Sequence, residues 1–169
     1  MPEGKRMVAA ARCALLLLGC TAILQVTGFP SAGARFLVDC PVGWSYYKTS
    51  CFRYFRQLRT WDEAEAQCQN SYSGAHLVWV EEPKEAATLR RVISYYQRSQ
   101  PVWFGLQLQQ GKSWQWTNGG RYNESINLPG NGARGGDCAL LTPTSGFSVW
   151  SSADCQRRHH FICKFTPSQ

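Results

Sequence analysis

Pro101-Val102-Trp103-Phe104-Gly105-Leu106 and, a few residues on, Lys112-Ser113-Trp114-Gln115-Trp116 form the stretch on which the fold turns. Val102, Phe104 and Leu106 fall on one face at the two-residue period of a strand, and Trp103 and Gly105 on the other. Trp114 and Trp116 resume the alternation after a turn at Gln109-Gln110-Gly111-Lys112, which predicts an antiparallel hairpin. Both faces are apolar, so the hairpin belongs at the centre of a domain. A glycine inside a strand signals that another backbone or a large ring lies against it, and aromatic neighbours are the expectation for Gly105. A plain sandwich would show the same period, so the hairpin alone does not select the fold.

Upstream, Thr60-Trp61-Asp62-Glu63 has the form of a capping box, and Ala64, Ala66 and Cys68 continue a helix. Gly74-Ala75-His76-Leu77-Val78-Trp79-Val80 predicts a strand. Pro83 opens a second helix, with Ala86, Leu89, Val92 or Ile93, and Tyr96 on one stripe and Arg90 and Arg91 on a solvated face. Cys40-Pro41-Val42-Gly43-Trp44 through Tyr46-Tyr47 to Cys51 reads as a short aromatic hairpin, extended by Phe52-Arg53-Tyr54-Phe55. Downstream, Cys138 to Leu141, Phe147 to Trp150 and His160 to Lys164 read as strands. Between Thr117 and Asp137 no period survives. The glycines there make a long loop, which in a compact domain is usually functional.

The chain opens with Lys5 and Arg6, an apolar run through Leu15 to Leu18, and small residues, the layout of a secretory signal peptide over residues 1–28, with a cut as late as 34. A membrane anchor would need about 20 mainly apolar residues, and this run is interrupted by Arg12, Gly19 and Thr21. The later cut leaves a domain of residues 35–169. Cys13 and Cys20 leave with the signal, and six cysteines remain. An even number in a secreted domain reads as disulfides. No Cys-x-x-Cys pair supports a zinc site, and no cofactor is expected. Residues 35–169 keep 15 Lys and Arg against 10 Asp and Glu, a formal +5. In an extracellular setting that charge favours anionic glycans or membranes, with no nucleic acid expected.

Two capped helices, the Trp103-Phe104-Gly105-Leu106 strand, then Cys138, Trp150, Cys155 and Phe161-Ile162-Cys163 together resemble the C-type lectin-like domain, an α+β fold of two helices packed on antiparallel sheets with a long loop and three disulfides. Phe104 stands where that family most often has isoleucine. Tyr54-Phe55-Arg56-Gln57-Leu58-Arg59, Gly74-Ala75-His76-Leu77, Tyr96-Gln97-Arg98-Ser99-Gln100-Pro101, Trp114-Gln115-Trp116 and Trp150-Ser151-Ser152 are similar to the regenerating-islet (Reg) proteins, of their fourth type. Six cysteines allow 15 pairings. The resemblance implies Cys40–Cys51, Cys68–Cys163 and Cys138–Cys155.

Calcium-dependent sugar binding in this fold goes with a Glu-Pro-Asn or Gln-Pro-Asp triplet and a Trp-Asn-Asp. Here Leu128-Pro129-Gly130 and Trp150-Ser151-Ser152 stand instead, and Glu124, Asp137 and Asp154 are too few and too scattered for a calcium shell. Glu82-Pro83-Lys84 is a helix start. Expected ligand contacts are Tyr122, Asn127, Asn131, Arg134 and Asp137 in the loop, with Arg157 and Arg158 in a basic segment that continues into His159 and His160. A solvated turn is the competing reading of that segment. Arg53, Arg56 and Arg59 converge only if the strand turns before Thr60, because Arg56 points opposite to the other two. Asn123-Glu124-Ser125 is a glycosylation sequon. No nucleophile is paired with a histidine and no phosphate loop appears, so no enzyme is expected. The expectation is a secreted lectin-like protein binding a mannan-like or heparin-like anionic polysaccharide without calcium. The alternatives are a factor acting on a cell-surface receptor and a cationic antimicrobial.

Overall fold

The computed structural model describes residues 39–125, 128–132 and 134–168. The segment expected to be a signal peptide and Asn127 lie outside the described residues. The elements run β1 (Ser45–Tyr47), β2 (Ser50–Arg59), α1 (Trp61–Ser71), β3 (His76–Leu77), α2 (Pro83–Tyr96), β4 (Val102–Gln109), β5 (Ser113–Trp116), β6 (Cys138–Leu141), a 3-10 turn (Pro143–Ser145), β7 (Trp150–Ala153) and β8 (His159–Phe165). One sheet takes the order β1-β2-β8-β4-β6-β7, with β3 on β8 and β5 on β4. All the pairs are antiparallel except β4 with β8, where Val102 and Trp103 lie beside His160 and Phe161 in parallel.

The hairpin is central as its pattern requires. Val102, Phe104 and Leu106 are fully buried against Val78, Leu89, Ile93, Trp116 and Leu141. Trp103 is fully buried on the opposite face with Phe161, Leu140 and the cysteines. Its indole donates to the Arg59 carbonyl at 3.0 Å, so the ring costs no unpaired N–H. Gln110 and Gly111 take φ of 51° and 66°, and Lys112 N donates to Gln109 O to close the turn. Gly105 corrects the expectation of aromatic neighbours. A Cβ there would sit 2.3 Å from the Leu77 carbonyl and 2.6 Å from Thr117 Oγ1, so backbone, not a ring, excludes a side chain.

The helices start where the sequence says. Thr60 Oγ1 accepts from Glu63 N while Glu63 Oε2 accepts from Thr60 N, and Trp61, Ala64 and Cys68 are buried one turn apart. Pro83 begins α2, whose Ala86, Leu89 and Ile93 face the core. The predicted strand over 74–80 shrinks to His76–Leu77. Beyond it Val78 N donates to Ile162 O on one side and Val78 O accepts from Gly105 N on the other, so this segment bridges β8 and β4 without a ladder of its own.

The three disulfides are Cys40–Cys51, Cys68–Cys163 and Cys138–Cys155, with Cα separations of 5.6, 5.5 and 5.1 Å. They tie β2 to the segment before β1, α1 to β8, and β6 to the turn after β7. Each such bond stabilises a domain by about 2 to 5 kcal/mol, mostly by restricting the unfolded chain.

Candidate ligand-binding site

The long loop is strapped to the sheet edge at successive points. Tyr122 N donates to Trp114 O, Trp150 N to Pro129 O, Asn131 N to Trp150 O, Gly135 N to Ser152 Oγ, and Leu108 N to Asp137 O. Leu128 is buried at 2% exposure and anchors the middle of the described loop. Gly130 passes so close to the Trp150 indole that an added Cβ would lie 2.9 Å from it. A loop without periodicity is therefore ordered by pairing with β5 and β7 rather than by its own local structure.

Between the strap and the two strands lies a cleft of about 250 Å³, lined by Trp114, Tyr122, Glu124, Gly130, Gly132, Arg134 and Trp150. Trp114 and Trp150 meet edge to face with centroids 4.6 Å apart, and Tyr122 stands perpendicular to Trp150 at 5.4 Å. The polar ends of these rings are engaged with each other. Trp150 Nε1 donates to Tyr122 OH at 3.1 Å, and Tyr122 OH donates to Leu128 O at 2.6 Å. Burial holds the Tyr122 phenol above its ordinary pKa, so it remains a hydroxyl at neutral pH. Apolar walls with one carboxylate and one guanidinium at the rim suit a ligand with an apolar face and hydroxyls at its edge.

Of the residues expected from sequence, Tyr122 and Arg134 line this cleft, and Asn131 sits between two of its glycines. Tyr122 is a strut, since its hydroxyl fixes Trp150 to the loop. The Asp137 side chain is exposed and is not part of the lining, while its carbonyl holds β4. Trp114, Trp150 and Glu124 are lining residues outside the expected contacts, the first two read from sequence as strand residues and the third as one of three scattered carboxylates. Trp114 and Trp116 share one face of β5, yet Trp116 is buried and Trp114 only partly so, a difference that the period of two does not reveal.

Arg157 and Arg158 are exposed in the turn before β8, away from the cleft lining, with Arg158 donating to Glu63 at 3.2 Å. The two histidines do not extend this basic segment. His159 packs edge-on against Trp103 with centroids 4.7 Å apart, and His160 Nδ1 shares a 2.7 Å hydrogen bond with Tyr54 OH. Burial pushes the pKa of both below the usual histidine range, with Arg157 adding to the effect at His159 and Arg56 at His160. Both are neutral at pH 7. Arg53, Arg56 and Arg59 do not converge either. The β2–β8 register shifts between Phe55 and Arg59, and the three reach Phe55, Tyr96 and Gln67 respectively.

A second recess, of about 280 Å³, is lined by Tyr47, Lys48, Thr49, Ser50, Glu81, Glu82 and Glu85. Its carboxylates are met from within the chain. Fully buried Lys164 places Nζ 2.5 Å from Glu85 and 3.5 Å from Glu81, over the Trp79 ring at 4.3 Å, while Lys48 pairs with Glu82 at the surface. Among the described residues no three His, Cys, Asp or Glu side chains are arranged to hold a metal ion.

A family model for the lectin C-type domain matches residues 57–165. Regenerating islet-derived protein 4 of human is 41% identical over 157 residues, covering 90% of this chain and 95% of that protein. Its mouse counterpart is 40% identical over 145 residues, covering 79% and 89%. Among solved structures, a point mutant of the human Regenerating Gene Type IV protein is 42% identical with a TM-score of 0.63, covering 76% of this chain and 99% of that one. Human lithostathine is 30% identical with a TM-score of 0.69, covering 77% and 92%. The chain belongs to the C-type lectin domain family and, within it, to the regenerating islet-derived proteins.

Proposed function

We propose that this chain is a secreted, non-enzymatic lectin that binds polysaccharide in the Trp114–Tyr122–Trp150 cleft without calcium. The observation that carries the reading is the pairing of three aromatic walls with Glu124 and Arg134 at the rim of one cleft. The apolar C–H face of a pyranose packs on such rings, and its hydroxyls reach the two charged groups, neither of which requires a metal. Leu128-Pro129-Gly130 and Trp150-Ser151-Ser152 replace the triplets that supply calcium ligands in the fold, and Ser152 Oγ is already accepting from Gly135 N. No described helix is long and apolar enough to cross a membrane.

The test is a titration against mannan and against heparin, with chelator throughout. Trp114→Ala should weaken mannan binding about tenfold, which corresponds to about 1.4 kcal/mol for one lost stacking wall, with circular dichroism unchanged. If sulfated glycans are the ligand, Arg157→Ala with Arg158→Ala should have the larger effect. Affinity should then fall steeply with salt, because exposed charges are screened within about 8 to 10 Å. Binding that disappears with chelator and returns with calcium would overturn the reading. Silence toward both polysaccharides would favour a receptor-binding factor instead.

A further inference from the structure

The sequon Asn123-Glu124-Ser125 interrupts the cleft lining itself. Tyr122 before it and Glu124 within it are both wall residues, and the Asn123 side chain is exposed, with Oδ1 accepting from Ser125 N at 2.9 Å. Adjacent Cα atoms are about 3.8 Å apart, so a glycan on Asn123 is attached one residue away from each of two wall residues. We propose that Asn123 carries an N-linked glycan that lies over this cleft and competes with external polysaccharide, making glycosylation a mask on the site. The inference rests on the cleft being the polysaccharide site.

The chemistry needs a lipid-pyrophosphate-linked oligosaccharide as donor, which the secretory route of the proposed function provides. Transfer forms the bond between Asn123 Nδ2 and the sugar C1, breaks the C1–O bond to the donor, releases the lipid pyrophosphate and frees one amide proton. The product keeps a neutral amide link, so the masking is steric and competitive rather than electrostatic. A sugar tethered this closely reaches an effective concentration in the millimolar range. Against a cleft with an affinity of ~0.1 mM for a single sugar unit, that concentration reduces the apparent affinity for an external chain on the order of tenfold.

Full-length chain secreted from a glycosylating cell line would be compared as wild type, Asn123→Gln and Ser125→Ala. Neither side chain is part of the cleft lining, and Ser125→Ala leaves Asn123 and Glu124 in place. Intact mass before and after enzymatic glycan removal reports occupancy, and titration against mannan with chelator reports the mask. The expected result is a glycan mass on the wild type that both variants lack, with both variants binding about tenfold more tightly. A wild type without glycan mass would overturn the inference, as would occupied wild type binding mannan with the affinity of the two variants. If all three forms are silent toward mannan, the cleft reading itself fails and takes the mask with it. Loss of binding in Trp114→Ala alongside equal affinities in the other forms would keep the cleft and remove only the mask.

Discussion

Two recesses of the domain are nearly equal in size, about 250 and 280 Å³, and they differ in what remains for an outside molecule to do. The one beside α2 holds three glutamates, which from their number alone suggests a cation site. Lys164 and Lys48 answer those carboxylates from inside the chain, so the recess is a joint between α2, β8 and the β1–β2 turn. The cleft under the loop strap has used the polar ends of the buried Trp150 and of Tyr122 within the chain, and it keeps Trp114 and Tyr122 partly open beside the exposed Glu124 and Arg134. Size and polarity do not separate a structural recess from a binding one. The decisive question is whether the chain already supplies the complementary groups.

The comparison breaks most visibly at Lys164. Lys164→Met leaves Glu85, 5% exposed, as a carboxylate without its counter-ion. Removing one member of a buried pair costs about 3 to 5 kcal/mol, a large share of the roughly 5 to 15 available to a domain. Urea denaturation of the variant should show that loss, and Glu85→Gln added to Lys164→Met should recover most of it. A variant as stable as the parent would mean that the joint is no joint.

Acid sharpens the comparison, because its first effect should fall on neither recess. His159 and His160 have folded pKa values below their ordinary one, so the folded state binds fewer protons than the unfolded chain. Their stabilising contribution is complete above the unfolded histidine pKa of about 6.5 and is lost as pH falls through that value toward the folded one. Melting temperature should therefore decline between about pH 7 and 5. His159→Gln should flatten the decline, whereas Lys164→Met should lower the whole curve and keep its slope. A melting temperature flat across that range would remove the histidines from the account.

The smallest effect is expected at the mouth of the same recess. Lys48 and Glu82 pair at the surface, where water screens both partners, so Lys48→Ala should leave the melting temperature unchanged within error. A clear drop would show that the outer pair, and not Lys164 alone, closes the recess.

Features set by local rules were legible in the sequence. The Thr60–Glu63 box, Pro83 at a helix start, the Trp103 face and the Gln110-Gly111 turn each depend on neighbours within four residues or on a period of two. The expectation of aromatic neighbours at Gly105 fails because the Leu77 carbonyl that lies against it comes from a segment 28 positions upstream. Lys164 and Glu85 lie 79 positions apart, and Lys164 sits in an apolar strand where its snorkelling to solvent would have been the ordinary expectation. The cleft was half legible. The loop announced itself by losing its period, and Tyr122 and Arg134 followed from it, but Trp114 and Trp150 carry the same letters whether they fill a core or wall a cleft. The basic segment was over-read, because adjacent letters hid that His159 and His160 turn inward while Arg157 and Arg158 turn out.

The pairing of β1, β2 and β8 at one side of the sheet has a practical consequence. Cys51 lies opposite Phe165, and Ser50 Oγ meets Thr166 Oγ1 at 2.9 Å, so the end of the described domain lies beside the start of β2, to which the Cys40–Cys51 disulfide ties its beginning. The strap and its rings are built on β5 and β7, with β7 at the far edge of the strand order. A fusion partner, a surface anchor or a biosensor linkage joined at residue 168 therefore attaches beside β2 and β8, on strands other than the β5 and β7 that carry the aromatic cleft.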